Sequence, residues 1–401
     1  MIQIISCGVY VPALRVGSSE IAKALGAYAG AGIKKKALPE VDEDAFTMAV
    51  EAAKEALLGM KTLGGSGDGS LPSARAGGGA VEGEPGRSAT VAGTAGTGTS
   101  LGPGDIDYVA FASTSFPYEE KSFAGALAEC LGIPKTAFVG EFGSSTRAGT
   151  EALISAASAL ASGAFRLALV VVSDCPGGGP RNPVEQAAGA GAVAFVLQSG
   201  ENEDRCIFSL EGSSTWSKES LGIRSRRTGF TEASDLGIAR HSRDAFVGTC
   251  VGAVRALLEK ERRVGRGESE EKACEAALSS VGSEFRGLVA TQPDARLPLD
   301  LGRTLGFQDE RVLPGIVASD MGDAGAASCL LGLLAYLESG SVKPGDLLLL
   351  VSYGSGAIAD ALRVRVGRGV DEISRQKPLR SLLDAGTDVD FVTYLRVRGW
   401  L

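Results

Sequence analysis

The stretch Gly143-Ser144-Ser145-Thr146 places three hydroxyls in one tight turn, between the apolar run 137–142 and a helix-forming run that opens at Arg147. Such a turn delivers Ser144, Ser145 or Thr146 to a helix N-terminus, where free backbone N–H groups and the helix dipole favour negative charge. Nucleophiles and oxyanion holes use that position. Ordinary N-caps use it too, because Ser and Thr are preferred caps. A hydroxyl is a weak nucleophile and needs an adjacent base. Histidine is the usual base near neutral pH, and the chain has one, His241. It stands just before a helical pattern, so a surface or capping role competes with a place in a pocket. Cys175 is a candidate thiol at a strand end, or else a small buried apolar side chain.

The elements that must hold these residues follow from patterning. The run 137–142 is long enough for a buried strand. The helix beyond it, to about residue 162, presents Ala156, Ala157, Ala159 and Ala161 and so packs closely as a central helix. Upstream, a strand at 2–6 gives way to Gly8-Val9-Tyr10-Val11-Pro12, which turns from it. Ser18 or Ser19 caps a helix to Leu25. Lys34-Lys35-Lys36 reads as solvated surface, with a phosphate contact as the sharper alternative. Asp42-Glu43-Asp44 opens a helix with an acidic first turn and with Phe46, Val50, Ala53 and Leu57 at helical spacing.

Further strands are expected at 107–113, 167–173 and 192–197, with a helix at 122–131. The second half repeats the plan, with a strand at 207–210, helices at 244–260 and 269–280, and a strand at 287–291. An Ala/Leu-rich helix at 324–337 then stands where the first half has its central helix, and strands at 347–352 and 358–366 close the sheet. Strands alternating with helices argue for a layered α/β fold with a largely parallel sheet. The repeated order suggests a duplication, with halves at 1–200 and 201–367, a site where they meet, and a tail at 368–401 packing on the body. Residues 62–104 are about one-third Gly and read as a flexible insertion. Gly96-Thr97-Gly98 within it fits neither a dinucleotide fingerprint nor a P-loop.

Composition narrows the class. The chain has 401 residues, 44% of them hydrophobic, and a net charge of -8. It can therefore bury a large core, and its acidity argues against nucleic acid as a partner. No stretch approaches the roughly 20 apolar residues that span a bilayer. The N-terminus has no basic segment of a signal peptide. Seven scattered cysteines without a C-x-x-C pair or an adjacent His argue against structural zinc and disulfides, and fit a reducing cytoplasm.

Several motifs together resemble the hydroxymethylglutaryl-CoA synthase family of the thiolase superfamily, in its archaeal-type branch. They are Gly8–Pro12, the run from Asp42 to Ala53, the strand-to-helix turn from Glu141 to Thr150, Leu305-Gly306-Phe307, Val351-Ser352-Tyr353-Gly354-Ser355-Gly356-Ala357, and the ending from Asp390 to Arg396. The resemblance covers nearly the whole chain outside the Gly-rich insertion. It implies a thiolase-like five-layered αβαβα fold, a dimer or higher oligomer, a coenzyme A thioester as substrate with no permanently bound cofactor, and no metal. It also implies an acyl group held on a Cys, with a Glu and a His moving protons. Archaeal-type members occur with a thiolase partner subunit and a small zinc-ribbon/OB-fold protein. Carried across by position, the Cys corresponds to Thr146, the Glu to Thr114, the His to Thr291 before Gln292-Pro293, and a turn Asn to Asp323. Ser145, Gly354, Ser355 and Lys121 are the implied substrate contacts. Three readings follow: a catalytically degenerate subunit paired with an active thiolase-like partner, an acyl-CoA enzyme with altered residues acting through Thr146, Ser145 or Asp323, and a non-catalytic scaffold.

Overall fold

A computed structural model describes residues 1–62, 101–200, 203–230, 232–263, 278, 281–375 and 377–401. Most of the Gly-rich segment and most of the helix expected at 269–280 lie outside the described residues.

Among the described residues twelve strands are formed: β1 (Ile2–Tyr10), β2 (Leu14–Gly17), β3 (Lys35–Leu38), β4 (Tyr108–Ala112), β5 (Phe138–Phe142), β6 (Leu167–Asp174), β7 (Gly191–Ser199), β8 (Phe208–Ser217), β9 (Gly287–Ala290), β10 (Leu347–Gly354), β11 (Ile358–Val366) and β12 (Thr387–Val389). Nine of them make one sheet in the order β5-β4-β6-β7-β1-β8-β11-β10-β9, and β12-β2-β3 make a small second sheet. The long β1 joins the two parts of the chain, because it pairs with β7 on one side and with β8 on the other.

Packing sets the layers. Along β6, Ala168, Val170 and Val172 face one core while Leu167, Leu169 and Val171 face another. This is the period-two pattern of a strand buried on both faces. The helices Ala148–Ala161 and Ser328–Glu338 share the inner core with both halves of the sheet. Helices Ala45–Thr62 and Phe123–Cys130 cover the outer face of the first half. Helices Ala239–Arg263 and Leu297–Thr304 cover that of the second. The result is helix, sheet, central helices, sheet and helix, the layering expected of the thiolase-like fold.

Several local expectations are corrected. The sheet is mixed rather than largely parallel: only β4–β5, β4–β6 and β9–β10 run parallel, and its middle is antiparallel. β5 is an edge strand, so Phe138 is 51% and Val139 36% exposed where a buried strand was expected. β1 runs on through Gly8 to Tyr10 before the chain turns at Pro12. The acidic residues before Ala45 precede the helix instead of filling its first turn; Asp44 caps it by accepting from the Phe46 and Thr47 amides. The helix Ser18–Leu25 has Gly17 at its N-cap and no side-chain cap. The polar segment after Val366 forms a 3-10 stretch, Arg368–Arg375, that buries Val370 and Ile373. Lys36 is buried at 2% exposure, not solvated, because Glu185 supplies a buried counter-charge 2.8 Å away.

Candidate functional site

The site begins where β4, β5 and β6 end side by side. Parallel β4 and β6 bring Thr114 and Asp174 together just beyond their last paired residues. The Thr114 hydroxyl donates to Asp174 Oδ2 at 2.6 Å, and the Ser115 hydroxyl donates to Oδ1. The Ala326 amide, at the entry to the second central helix, donates to the same carboxylate at 2.8 Å. Asp174 is fully buried, and these donors compensate the charge that burial would otherwise penalise. Asp174 was not among the residues singled out for chemistry. A charged residue ending the apolar run Leu169-Val170-Val171-Val172 was the signal available for it.

The turn after β5 carries the first central helix. Ser144 sits at φ 71°, a left-handed conformation that costs a non-Gly residue roughly 1–2 kcal/mol. Thr146 is buried, and its hydroxyl donates to the Tyr353 carbonyl of β10 at 2.8 Å. Ser145 Oγ accepts from the Arg147 amide at 3.2 Å. A Cβ on Gly354 would stand 2.1 Å from Ser145 Oγ, so only glycine lets β10 come this close to the turn. Arg147 then binds both oxygens of buried Asp360 on β11, at 2.9 and 3.0 Å. Asp360 also accepts from Thr150 at 2.8 Å and from Thr215 of β8 at 2.6 Å. One carboxylate thus ties the start of the helix to two strands of the other half.

The second-half residues lie deeper. Thr291 Oγ1 accepts from the Tyr353 amide at 2.9 Å and donates to Ser352 Oγ at 3.4 Å. The neighbouring Gln292 clasps the chain, accepting from the Val317 and Ala318 amides and donating to the Gly315 carbonyl. Asp323 is buried, with Oδ2 3.1 Å from Arg224 Nη1 and Oδ1 accepting from the Gly325 amide at 3.0 Å. Burial pushes its carboxyl above the usual range, with nearby Asp174 adding and Arg224 opposing.

A cavity of about 750 Å³ opens in front of this array. Its walls include Thr114, Lys121, Ser145, Thr146 and Ser355, together with Arg224 and Arg226 from the segment after β8. The structure therefore gathers five of the eight positions named from sequence at one cavity. Thr291, Asp323 and Gly354 are absent from its described walls. Lys121 Nζ lies 5.1 Å from the ring centroids of Tyr118 and of Phe123, and Arg226 donates to the Thr114 carbonyl at 2.7 Å. Glu119, Glu120 and Glu141 line the same cavity, so its charge is mixed.

His241 and Cys175 are not among the described walls either. The His241 ring meets the Leu221 carbonyl at 2.8 Å. Burial, with Asp174 adding to it, pushes the Cys175 thiol up to about 11, so it stays protonated and poorly nucleophilic at neutral pH. Among the described residues no cluster of His, Cys, Asp and Glu could hold a metal ion, and no helix is long and apolar enough to cross a membrane.

Residues 281–366 match the family described as 3-oxoacyl-[acyl-carrier-protein] synthase III C terminal. Over 396 residues the chain is 27% identical to a hydroxymethylglutaryl-CoA synthase of Pyrococcus horikoshii, covering 98% of this chain and 95% of that protein. It superposes on MvaS in complex with 3-hydroxy-3-methylglutaryl coenzyme A with a TM-score of 0.76 and 20% identity, over 99% of this chain and 91% of the other. It superposes on 3-oxoacyl-[acyl-carrier-protein] synthase III of Aquifex aeolicus with a TM-score of 0.67 and 20% identity, over 91% of this chain and 100% of that one. The chain has the thiolase-like fold and is similar along nearly its whole length to hydroxymethylglutaryl-CoA synthases.

Proposed function

We propose that the cavity binds an acyl-CoA thioester without forming an acyl-enzyme, and that the chain works as the non-nucleophilic subunit beside an active thiolase-superfamily partner. The observation that carries this reading is the Thr146 hydroxyl, which donates a hydrogen bond to the Tyr353 carbonyl at 2.8 Å. A carbonyl is no general base, and a hydroxyl so held lacks the activation that nucleophilic catalysis requires. The Thr291 hydroxyl is likewise engaged, with the Tyr353 amide and Ser352. General acid–base groups contribute roughly 10²–10⁴-fold each, so Thr at these positions removes the ordinary condensation.

The cavity itself suits a thioester. Lys121, Arg224 and Arg226 offer cationic character at its walls, and the Ser145 and Ser355 hydroxyls offer hydrogen bonds. Phosphates favour such cations, and the structurally similar MvaS is described with 3-hydroxy-3-methylglutaryl coenzyme A bound.

A second reading rests on Asp174 and Asp323. An ionisable group with an elevated pKa beside a hydroxyl–carboxylate pair is a recurrent acid–base arrangement. It favours an enzyme of altered chemistry acting on an acyl-CoA through Thr146, Ser145 or Asp323.

The deciding experiment purifies the untagged chain from its own host and examines it by native mass spectrometry and by CoA release from acetyl-CoA. The first reading expects a co-purifying thiolase-fold subunit that carries the Cys, with or without a zinc-ribbon/OB-fold protein, and CoA release by the complex alone. A homo-oligomer that turns over an acyl-CoA unaided would overturn it in favour of the second.

A further inference from the structure

Glu185 is a buried carboxylate outside the site with four side-chain hydrogen bonds, and none of its partners is used by the reading above. It lies at 1% exposure in the short helix Pro183–Ala187. Its Oε1 accepts from Lys36 Nζ of β3 at 2.8 Å and from the Tyr394 hydroxyl at 2.7 Å. Its Oε2 accepts from Arg398 Nη2 at 2.7 Å and from the Gly178 amide at 2.9 Å. Tyr394 and Arg398 belong to the C-terminal helix Phe391–Val397 and the residue that follows it. Gly178 belongs to the loop after β6, whose Gly177 lines the cavity.

The packing is as specific as the charge. A Cβ on Gly177 would stand 2.1 Å from Arg398 Nη2, so the guanidinium lies directly against the backbone of that cavity residue. Although burial alone would raise it, Lys36 and Arg398 hold the Glu185 carboxyl below the usual range. The carboxylate therefore stays ionised and keeps its charge-assisted bonds. Arg398 also stacks against Trp400, with its guanidinium 5.5 Å from the ring centroid.

We infer that Arg398, through Glu185, is a positioning residue for the cavity-rim loop 175–182, so that the last residues of the chain set how tightly the cavity holds its ligand. The effect on ligand rests on the thioester reading; the effect on the loop does not. The alternative is that Arg398 merely helps to anchor the tail, in which case its loss loosens the tail and leaves the rim alone.

The test uses the full chain with Arg398→Ala and, as the milder change, Arg398→Lys. Hydrogen exchange is read at the amides of 175–182 and at β6, and acetyl-CoA affinity is read by calorimetry. One charge-assisted hydrogen bond is worth about tenfold in an opening equilibrium, so Arg398→Ala is expected to speed exchange in the rim loop about tenfold. β6 should remain unchanged, the Kd for acetyl-CoA should rise severalfold, and Arg398→Lys should fall between. Unchanged loop exchange in Arg398→Ala, or acceleration spread equally over β6, would overturn the inference. A loosened loop with an unaltered Kd would overturn the claim that the loop shapes the cavity. A wild-type chain that binds no acetyl-CoA would instead defeat the thioester reading, while the exchange comparison still decides the role of Arg398.

Discussion

At the scale of single residues, the site is a set of hydroxyls whose protons are already committed. Thr114 donates a hydrogen bond to Asp174, Thr146 to the Tyr353 carbonyl and Thr291 to Ser352. Burial raises the Asp323 carboxyl pKa against the pull of Arg224. The sign of the resulting linkage is fixed. The folded state holds that proton more tightly than the unfolded chain does, so the contribution is fully present below the unfolded value and is lost as pH rises through the folded one. Asp323→Asn keeps the shape and cannot ionise. Denaturant melts from pH 3 to pH 8 are therefore expected to show the wild type losing stability relative to Asp323→Asn as pH rises, and parity only at the acid end, below the unfolded value. Equal pH profiles for the two proteins would show that this carboxyl carries no such burden.

At the scale of elements, what holds the hydroxyl-rich turn is a carboxylate on a different strand. Asp360 is fully buried and receives Arg147, Thr150 and Thr215. Removing one partner of a buried pair costs about 3–5 kcal/mol, and Arg147 would keep only the more exposed Glu151, 3.1 Å away. Asp360→Ala is expected to lower unfolding stability by about that amount, measured by urea denaturation. A loss below about 1 kcal/mol would mean that water takes over from the carboxylate and that the turn does not depend on it.

Much at this scale was legible in the sequence. The strand–turn–helix order placed Thr146 just before the first central helix, but of the four alanines that suggested close packing only Ala156 is buried and Ala161 is exposed. Long-range pairing was not legible. β2, β3 and β12 have four, four and three residues, too few for period-two patterning to register. Lys36 read as surface because its counter-charge, Glu185, is remote in sequence and reaches it only through the fold. β5 read as buried because an apolar run does not reveal which strand ends a sheet.

At the scale of the whole molecule, the two central helices and the nine-stranded sheet bring the end of β4, the turn after β5 and the loop after β10 to one cavity. The layered α/β class could be read from the alternation of elements, and its thiolase-like form from the resemblance of motifs. The antiparallel centre could not, because β1 pairs with strands nearly two hundred residues away, such as Ile2 with Ser199. The cavity walls likewise come from segments far apart in sequence, so Arg224 and Arg226 carried no signal of their own. In the reading proposed above, this cavity receives a thioester while the hydroxyl before the first central helix stays unacylated. The most direct measurement is mass spectrometry of the purified chain with acetyl-CoA, first under native and then under denaturing conditions. The account predicts a complex with acetyl-CoA under native conditions and an unmodified chain mass after denaturation. An acetyl group that survives denaturation, mapped to Thr146 or Ser145, would contradict it, as would the absence of any complex in the native spectrum.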